Sequence, residues 1–280
     1  MGSVLVLTLI SAVLHAMWNA GLRRERDKDS AVVIAIAVAS TLAAVVAAIR
    51  WAAGVPPFAT GDALVWTLLA AVLEGGYFAA LARALDTGAL GPVYTISRGG
   101  TLLLVWPVSI WLWGEQLTGL HLLGSVVVFV GLAVSSGARG ATREAVGWSS
   151  LCAVLIAGYH LAYKAALRDG GDGPAVFAIS LGVATAVNLV RLRAAGRAKA
   201  AAELRRRGWP LAVIGALCSA AFLIFLVALA RGGAGLVLTL RNTSVIFATL
   251  ASALLGEQPG RRQVLGASVV VVGAALLGWP

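Results

Sequence analysis

Long apolar runs alternate with short polar segments along the whole chain. Ten runs of about 20 residues can be traced, the length that a helix needs to cross the hydrocarbon core of a bilayer. The runs are residues 2–22, 31–51, 63–85, 89–113, 118–137, 147–168, 174–192, 209–230, 233–255 and 260–279. The segments between them are too short for a separate soluble domain. The pattern therefore predicts an all-α polytopic membrane protein with ten transmembrane helices, the first of which is retained because no positive signal-peptide region precedes it.

Short motifs recur in the same order in both halves of the chain. The tripeptide GEQ at 114–116 returns at 256–258, a shift of 142, and AVLHAMWNAGLR at 12–23 aligns with AVLIAGYHLAYK at 153–164, a shift of 141. Matches in a constant order indicate an internal duplication. Because each half holds five spans, an odd number, the second half inserts upside down relative to the first. The predicted inverted repeats are residues 1–142 and 143–280.

Basic residues are distributed unevenly between the two sides of the predicted bundle. Counting residues at the flanking helix ends, the loops after odd-numbered spans carry sixteen Lys and Arg, and those after even-numbered spans carry four. The positive-inside rule then places both termini outside the cell. The family resemblance given below favours cytoplasmic termini, so the orientation stays open.

Composition narrows the class of protein further. The chain is 60% hydrophobic and 12% charged, whereas soluble domains carry about 25% charged residues. The net charge of +10 lies in short clusters between apolar runs. Such clusters meet anionic lipid headgroups rather than nucleic acid, which requires a basic face on a soluble domain. The two cysteines, Cys152 and Cys218, lie within apolar runs and are interpreted as small packing residues, with no metal or cofactor expected.

Three stretches resemble the drug/metabolite transporter superfamily, in its ten-helix EamA branch. They are LHAMWNAGLRR, PVYTISRGGTLLLVWPVSIWLWGEQLTGLHLLGSVVVFVGLAV and LTLRNTSVIFATLASALLGEQPGRRQVLGASVVVVGAALLG. The arginines that directly precede GGT and NTS resemble the pattern of a subgroup of this family that is found near phosphonate-utilisation genes. The resemblance implies secondary active transport of metabolites, commonly export, through a central cavity between the halves of a multi-pass protein of the inner membrane.

Arg98 and Arg241 are equivalent residues of the two halves and lie deep inside spans. Each is about nine or ten residues from a helix start, roughly 13–15 Å and thus close to the bilayer midplane. An arginine there costs at least roughly 2.5–3.5 kcal/mol. One interpretation is a packing role through a buried ion pair or backbone carbonyls. The other is a pair of guanidinium groups that bind carboxylate or phosphonate oxygens in a central cavity.

Glu74 is the carboxylate nearest the middle of a predicted span. Two roles stay open for it: an ion pair with Arg98, or uptake and release of a coupling proton. His15 is the second candidate for proton coupling, since histidine titrates near neutral pH.

Further polar and aromatic residues could line the same cavity. The predicted substrate-binding set comprises Arg98, Arg241, Asn242, Ser244, Tyr94, Tyr77, Asn19 and His160. Packing or interhelical hydrogen bonding is the alternative for each residue other than the two arginines. Glycines 99 and 100, and those that open the ninth span, are expected to let helices unwind at the cavity.

Two glutamates and four glycines have structural interpretations. Glu115 and Glu257 precede the fifth and tenth spans, where a carboxylate complements the helix dipole. Gly124 and Gly131, like their counterparts Gly266 and Gly273, are seven residues apart and share a helix face, which favours close helix packing.

The sequence predicts a secondary transporter, of the exporting type that is common in the family, for a small anionic or zwitterionic metabolite. A lipid-carrier flippase of the same superfamily is the alternative transporter. A membrane-embedded enzyme lacks support, since no HExxH motif or GxSxG elbow is present. A protein with a purely structural role would not need two arginines whose placement inside the membrane costs this much free energy. Substrate, coupling ion and the choice between monomer and homodimer stay open.

Overall fold

The computed structural model describes residues 2–88, 90–136, 142–254 and 260–279. These residues form eleven α-helices and no strand. The helices are α1 (Gly2–Arg23), α2 (Lys28–Ala52), α3 (Gly61–Thr87), α4 (Leu90–Trp113), α5 (Gly119–Ser136), α6 (Arg143–Arg168), α7 (Gly173–Arg191), α8 (Arg193–Arg231), α9 (Ala234–Arg241), α10 (Ser244–Leu254) and α11 (Arg261–Gly278).

Several helix starts follow from local sequence chemistry. The side chains of Asp27, Thr60 and Thr142 accept hydrogen bonds from backbone N–H groups in the first turns of α2, α3 and α6. These are N-cap residue types, whose side-chain oxygen satisfies a donor that the helix itself leaves unpaired. Thr118 does the same for α5, accepting from the His121 N–H at 3.2 Å.

The helices cover all ten apolar runs, and the all-α membrane fold is confirmed. Eight helical segments of the described chain are long and apolar enough to cross a bilayer, and Gly119–Ser135 is a shorter apolar helix. Large apolar side chains face outward from them, among them Trp111, Leu103 and Val72. Such an apolar exterior is stable against lipid and not against water.

Two spans differ from the simple prediction. The run 233–255 is not one helix, because α9 ends at Arg241 and α10 begins at Ser244. The polar segment 193–208, expected as a loop, is helical and joins the eighth span at a kink where Arg207 leaves helical geometry (φ −130°, ψ 28°). Its many alanines favour a helix, and its cations pair with the α1–α2 loop through Arg207–Glu25 (2.8 Å) and Lys199–Asp27 (3.1 Å).

Helix packing pairs the first five helices with the last six in matched sets. The contact of α3 with α6 has its counterpart in α8 with α1, and that of α4 with α6 in α9 and α10 with α1. The contact of α2 with α8 likewise corresponds to that of α7 with α3. The contacts α2–α7 and α5–α11 each join two helices that occupy equivalent places in the two halves. This is the pairing that two related five-span halves produce around a two-fold axis. The repeat boundary between residues 142 and 143 stays a prediction.

The α5–α11 pair is packed backbone against backbone at four glycines. A Cβ atom added to Gly131 would lie 2.8 Å from the Gly266 carbonyl oxygen, and one on Gly273 would lie 2.8 Å from the Gly124 oxygen. Any side chain at these positions would collide with main chain that cannot move aside. The seven-residue spacing therefore marks a close helix contact, as expected.

Candidate functional site

The buried Arg241 and the partly buried Arg98 meet at one histidine in the middle of the bundle. The Arg98 Nη2 atom on α4 lies 3.3 Å from Nε2 of His15, and the Arg241 Nη2 atom at the end of α9 lies 3.4 Å from Nδ1 of the same ring. His15 belongs to α1 and is buried. The predicted convergence of the two halves on one central site is thus built around an imidazole.

Arg241 is enclosed by aromatic rings rather than by acids. Its guanidinium carbon lies 4.2 Å from the ring centre of Phe222 and 4.0 Å from that of Phe225, both on α8. Cation–π contacts of this kind stabilise a desolvated guanidinium by up to about 2 kcal/mol. The residue is 3% exposed, and its Nε atom has no hydrogen-bond partner.

Neither arginine forms an ion pair with a carboxylate within the described ranges. Arg98 lies over the ring of Tyr94, with its guanidinium carbon 5.5 Å from the ring centre. The packing interpretation through a buried ion pair therefore finds no partner in this part of the chain. Among the described residues, these two cationic groups have no counter-charge at hydrogen-bonding distance.

The short helix α9 positions Arg241. Its first turn is capped by Glu115, whose carboxylate oxygens each accept one backbone N–H, from Gly235 and Leu236, at 2.9 Å. Farther along, Thr239 accepts a hydrogen bond from Nε1 of Trp106 on α4 (3.1 Å). An acid at the N-terminus and an arginine at the C-terminus both complement the helix dipole.

The position of Glu115 corrects the sequence interpretation. The residue was expected to complement α5, but its carboxylate reaches the N-terminus of α9 and accepts a short hydrogen bond from Ser109. The turn after α4 folds over the α8–α9 junction, where a Cβ on Gly233 would overlap the carboxylate. Thr118 supplies the α5 cap instead. Glu257 lies outside the described residues.

Unwinding was expected at Gly99 and Gly100 and at the glycines that open the ninth span, but the interruption lies elsewhere, between α9 and α10. Helix α4 is continuous through Gly99 and Gly100, and Cβ atoms there would lie 2.6 Å from Phe129 and 2.9 Å from Ala153. These two glycines therefore permit close packing. The interruption lies at Asn242 and Thr243, directly beside Arg241.

Asn242, Thr243 and Ser244 are buried at this interruption, between the ends of two half-helices. The Asn242 amide donates to the Leu238 carbonyl at 3.0 Å, and its Oδ1 atom and the Thr243 hydroxyl are buried without a hydrogen-bond partner. Buried polar atoms are normally paired, so such atoms beside a cavity indicate a place for a ligand.

A small cavity separates the arginines. Its volume, measured as the space open to the centre of a water-sized sphere, is about 10 Å³, which is roughly enough for one water molecule. It is lined by Arg98, Thr101, Leu102, Ile156, His160, Leu238, Arg241 and Asn242. This space is smaller than a metabolite.

His160 forms the wall of this cavity on α6. Its Nδ1 atom lies 2.8 Å from the Ile156 carbonyl, which can only accept, so Nδ1 carries the hydrogen and Nε2 is the acceptor. The Arg241 Nη1 atom lies 3.5 Å from that acceptor. The ring also packs on Tyr159, with centres 4.1 Å apart.

Glu74 lies apart from the arginines, in the contact of α3 with α6 and α7. One carboxylate oxygen accepts hydrogen bonds from the Tyr163 hydroxyl and the Ser180 hydroxyl, both at 2.7 Å. It is 2% exposed and, among the described residues, forms no ion pair with Arg98. The expected bridge between Glu74 and Arg98 is therefore absent from the described structure.

The remaining predicted residues divide into two groups. Tyr94 and Tyr77 are close to the centre, Tyr94 beneath Arg98 and Tyr77 6.0 Å from the ring of Tyr159. Asn19 instead donates to the backbone carbonyl of His15 at 2.6 Å, which is a hydrogen bond within α1 itself.

Sequence reasoning missed the aromatic enclosure by Phe222 and Phe225 and the role of Glu115. The two phenylalanines are three residues apart on α8, so they lie on one face of that helix. This spacing is the feature of the sequence from which they could have been identified. Among the residues that the structure describes, no group of His, Cys, Asp and Glu side chains could hold a metal ion.

Helical spans in two matched sets, around a polar centre beside the α9–α10 interruption, are consistent with a membrane transporter. The sequence profile of the EamA-like transporter family matches residues 144–279. This second half of the chain belongs to that family, and the resemblance drawn from the sequence is confirmed at the family level. The protein is a membrane transporter of the drug/metabolite type and not an enzyme.

Comparison with other proteins adds to the fold. A solved structure described as "Crystal structure of protein" superposes with a TM-score of 0.74 and 17% sequence identity, covering 99% of this chain and 97% of that one. At such low identity the likeness concerns the fold alone. No curated protein sequence matches the chain.

Proposed function

We propose that the protein is a secondary active transporter, of the exporting type, for a small anionic or zwitterionic metabolite. The substrate binds between Arg98 and Arg241 and crosses the inner membrane by alternating access. The observation that carries the proposal is a pair of guanidinium groups, Arg241 buried and Arg98 partly buried, without a carboxylate partner in the described structure.

The two arginines favour a substrate with negative charge. Two uncompensated cations at the bilayer midplane are unfavourable, each by roughly 2.5–3.5 kcal/mol or more. An anion supplies the missing counter-charge and forms charge-assisted hydrogen bonds, which are about twice as strong as neutral ones. A cationic drug would add a third positive charge and is disfavoured at this site.

The geometry favours planar or tetrahedral oxyanions. A guanidinium offers parallel N–H donors that match a carboxylate or phosphonate bidentately, and the Arg241 Nε–H is free to donate. The unpaired Asn242 Oδ1 atom is an acceptor on the same cavity wall. An ammonium group of a zwitterion could donate to it while the acid group binds the arginines.

Access to this site requires motion, which the fold supports locally. The closed cavity is about 10 Å³, too small for a metabolite. The interruption at Asn242–Thr243 lets α9, with Arg241 at its end, change its angle to α10 without breaking a continuous helix. Motion of α9 relative to α4 would then separate Arg241 from Arg98.

The test is counterflow in proteoliposomes with purified protein. Succinate, phosphonoacetate, glycine, alanine and a cationic dye are the probes. We expect anions or amino acids, but not the dye, to be exchanged, and Arg98→Ala and Arg241→Ala to reduce exchange at least about 100-fold, since each removes a charge-assisted pair. Arg197→Ala, in the exposed basic segment before the eighth span, is the matched control and should exchange normally. Full activity of both site variants, or preference for the dye, would overturn the proposal.

A further inference from the structure

The short helix α9 runs from one membrane surface down to the arginine site. It begins beside the start of α1, since a Cβ on Gly232 would lie 2.7 Å from Val4, and it ends at Arg241. Its eight residues extend over about 12 Å. We call the side of the membrane on which α1 begins the near side. Helix α9 therefore lies between the near side and the cavity.

Trp106 fills the space between α4 and α9 just above the cavity. It is four residues after Leu102, which lines the cavity, so it lies one turn closer to the near side on the same face of α4. Its Nε1 atom donates to the Thr239 hydroxyl at 3.1 Å. Its ring lies against Gly235, where a Cβ would be 2.4 Å from it, and the residue is only 6% exposed. The ring therefore separates the cavity from the near side.

Glu115 fastens the outer end of the same contact. The residue follows α4, and its carboxylate accepts the backbone N–H groups of Gly235 and Leu236 in the first turn of α9, both at 2.9 Å. Trp106 and Glu115 belong to the first five spans of the chain, whereas α9 belongs to the last five. Alternating access moves one half against the other. Contacts that join the halves between the site and one surface must therefore break when the site opens to that surface.

The contact of α4 with this ninth span is confined to the near side. Helix α4 packs along α9, and no comparable contact of α4 with α10 is present among the described residues. Since α10 continues from the site toward the opposite surface, the two halves of the ninth span differ in their attachment to α4. The Trp106 and Glu115 contacts thus close the path to the near side alone.

Both helices can bend at the level of this contact. Pro107 directly follows Trp106, and its missing N–H deprives α4 of one backbone hydrogen bond there. Helix α9 is bounded by the extended residues Gly232 and Gly233 at its start and by the interruption after Arg241 at its end. An eight-residue helix bounded in this way can tilt as a unit without unfolding.

We infer that Trp106 and Glu115 form a gate that closes the binding site toward the near side. The site opens to that side when α9 separates from α4 at these two residues. The carboxylate of Glu115, the first N–H groups of α9 and the N–H of Trp106 then bond to entering water, so that opening costs only the net value of the hydrogen bonds. The inference rests on the alternating access proposed above, and not on the charge of the substrate.

The test measures how fast a cysteine in the cavity reacts from each side of the membrane. Thr101→Cys, on the cavity wall, is the reporter, in a protein whose Cys152 and Cys218 are replaced by alanine. The reagent is 2-sulfonatoethyl methanethiosulfonate, which does not cross the bilayer and does not fit the closed cavity. The protein is in proteoliposomes without substrate. A cleavable C-terminal tag marks the near side, because α11 ends beside α1, with Gly278 against Leu5.

Both gate variants should raise the reaction rate from the near side. Trp106→Phe keeps an aromatic ring and loses one neutral hydrogen bond, which corresponds to about 2–10-fold. Glu115→Gln loses a hydrogen bond to a charged group, which corresponds to about 10–150-fold. From the opposite side the rate should stay the same or fall, since states open to the near side gain population at the expense of the others.

Trp111→Phe is the matched control, because this tryptophan of α4 is 82% exposed on the outside of the bundle and its replacement should leave both rates unchanged. An equal rise from both sides would show a general loosening and overturn the gate. So would an unchanged near-side rate in Trp106→Phe and Glu115→Gln, or no near-side reaction in any form of the protein. If the rates behave as expected but neither anions nor amino acids are exchanged, the gate stands and the proposed substrate class falls.

Discussion

Glu115 links the α4–α5 turn to the short helix that carries Arg241, and its replacement gives a prediction of stability. In Glu115→Gln, one carboxylate oxygen becomes an NH₂ group. Only one of the two backbone N–H groups of Gly235 and Leu236 can then be accepted. The other is left facing a donor at the first turn of α9.

The magnitude follows from the two interactions that are lost. A hydrogen bond to a charged group contributes about 1.5–3 kcal/mol, and a negative charge at a helix N-terminus about 0.3–1 kcal/mol. The free energy of unfolding should therefore fall by about 2–4 kcal/mol. With about 2–3 °C of Tm per kcal/mol for a chain of this size, Tm should fall by roughly 5–12 °C.

The assay is thermal unfolding of the purified protein in one detergent, monitored by circular dichroism and by intrinsic fluorescence. Gln116→Ala is the control, because the side chain of this exposed neighbour donates to the adjacent Gly114 carbonyl at 3.3 Å and its loss should change Tm by less than about 2 °C. Glu115→Asp keeps the charge but shortens the reach, and should fall between the wild type and Gln. A Glu115→Gln protein with the Tm of the wild type would refute the capping role.

Two other predictions concern packing and the buried acid. Gly266→Ala should lower Tm, corresponding to about 1–3 kcal/mol of overpacking, because its Cβ would lie 2.5 Å from the Gly131 carbonyl oxygen. Gly147→Ala on α6 has open space around the new Cβ and should be neutral or stabilising, and equal effects of the two would contradict the packing argument. Tyr163→Phe removes a donor from the Glu74 carboxylate and should cost about 1–3 kcal/mol of unfolding free energy. The cost should largely disappear in a Glu74→Leu background, which has no acceptor for the Tyr163 hydroxyl, and simple additivity would argue against the contact.

Features set by local composition could be predicted from the sequence. About twenty apolar residues cross a bilayer as a helix in any context, so the spans emerged from the hydrophobic pattern. Arg98 and Arg241 could be singled out as well, because a cation deep in a span is costly wherever its neighbours lie, and their role in binding stays a prediction. The glycine pairs of α5 and α11 followed from their spacing on one helix face.

Features set by contacts between distant segments could not be predicted in this way. The break before Ser244 leaves hydropathy unchanged, since apolar side chains continue on both sides of it. Glu115 acts 120 residues away, on α9, while its local position suggested α5. The meeting of both arginines at His15 depends on how three helices cross, and no spacing in the chain encodes that angle.

The glycine contact of α5 with α11 has a consequence for the origin of the chain. These are the last helices of the two halves, and each presents the same small-residue face to the other. A face that fits its own copy is an isologous interface, the kind found in homodimers with two-fold symmetry. A chain formed by duplication of one five-helix unit is compatible with pairing through this face. The contact leaves room for only a hydrogen atom at four positions, Gly124, Gly131, Gly266 and Gly273.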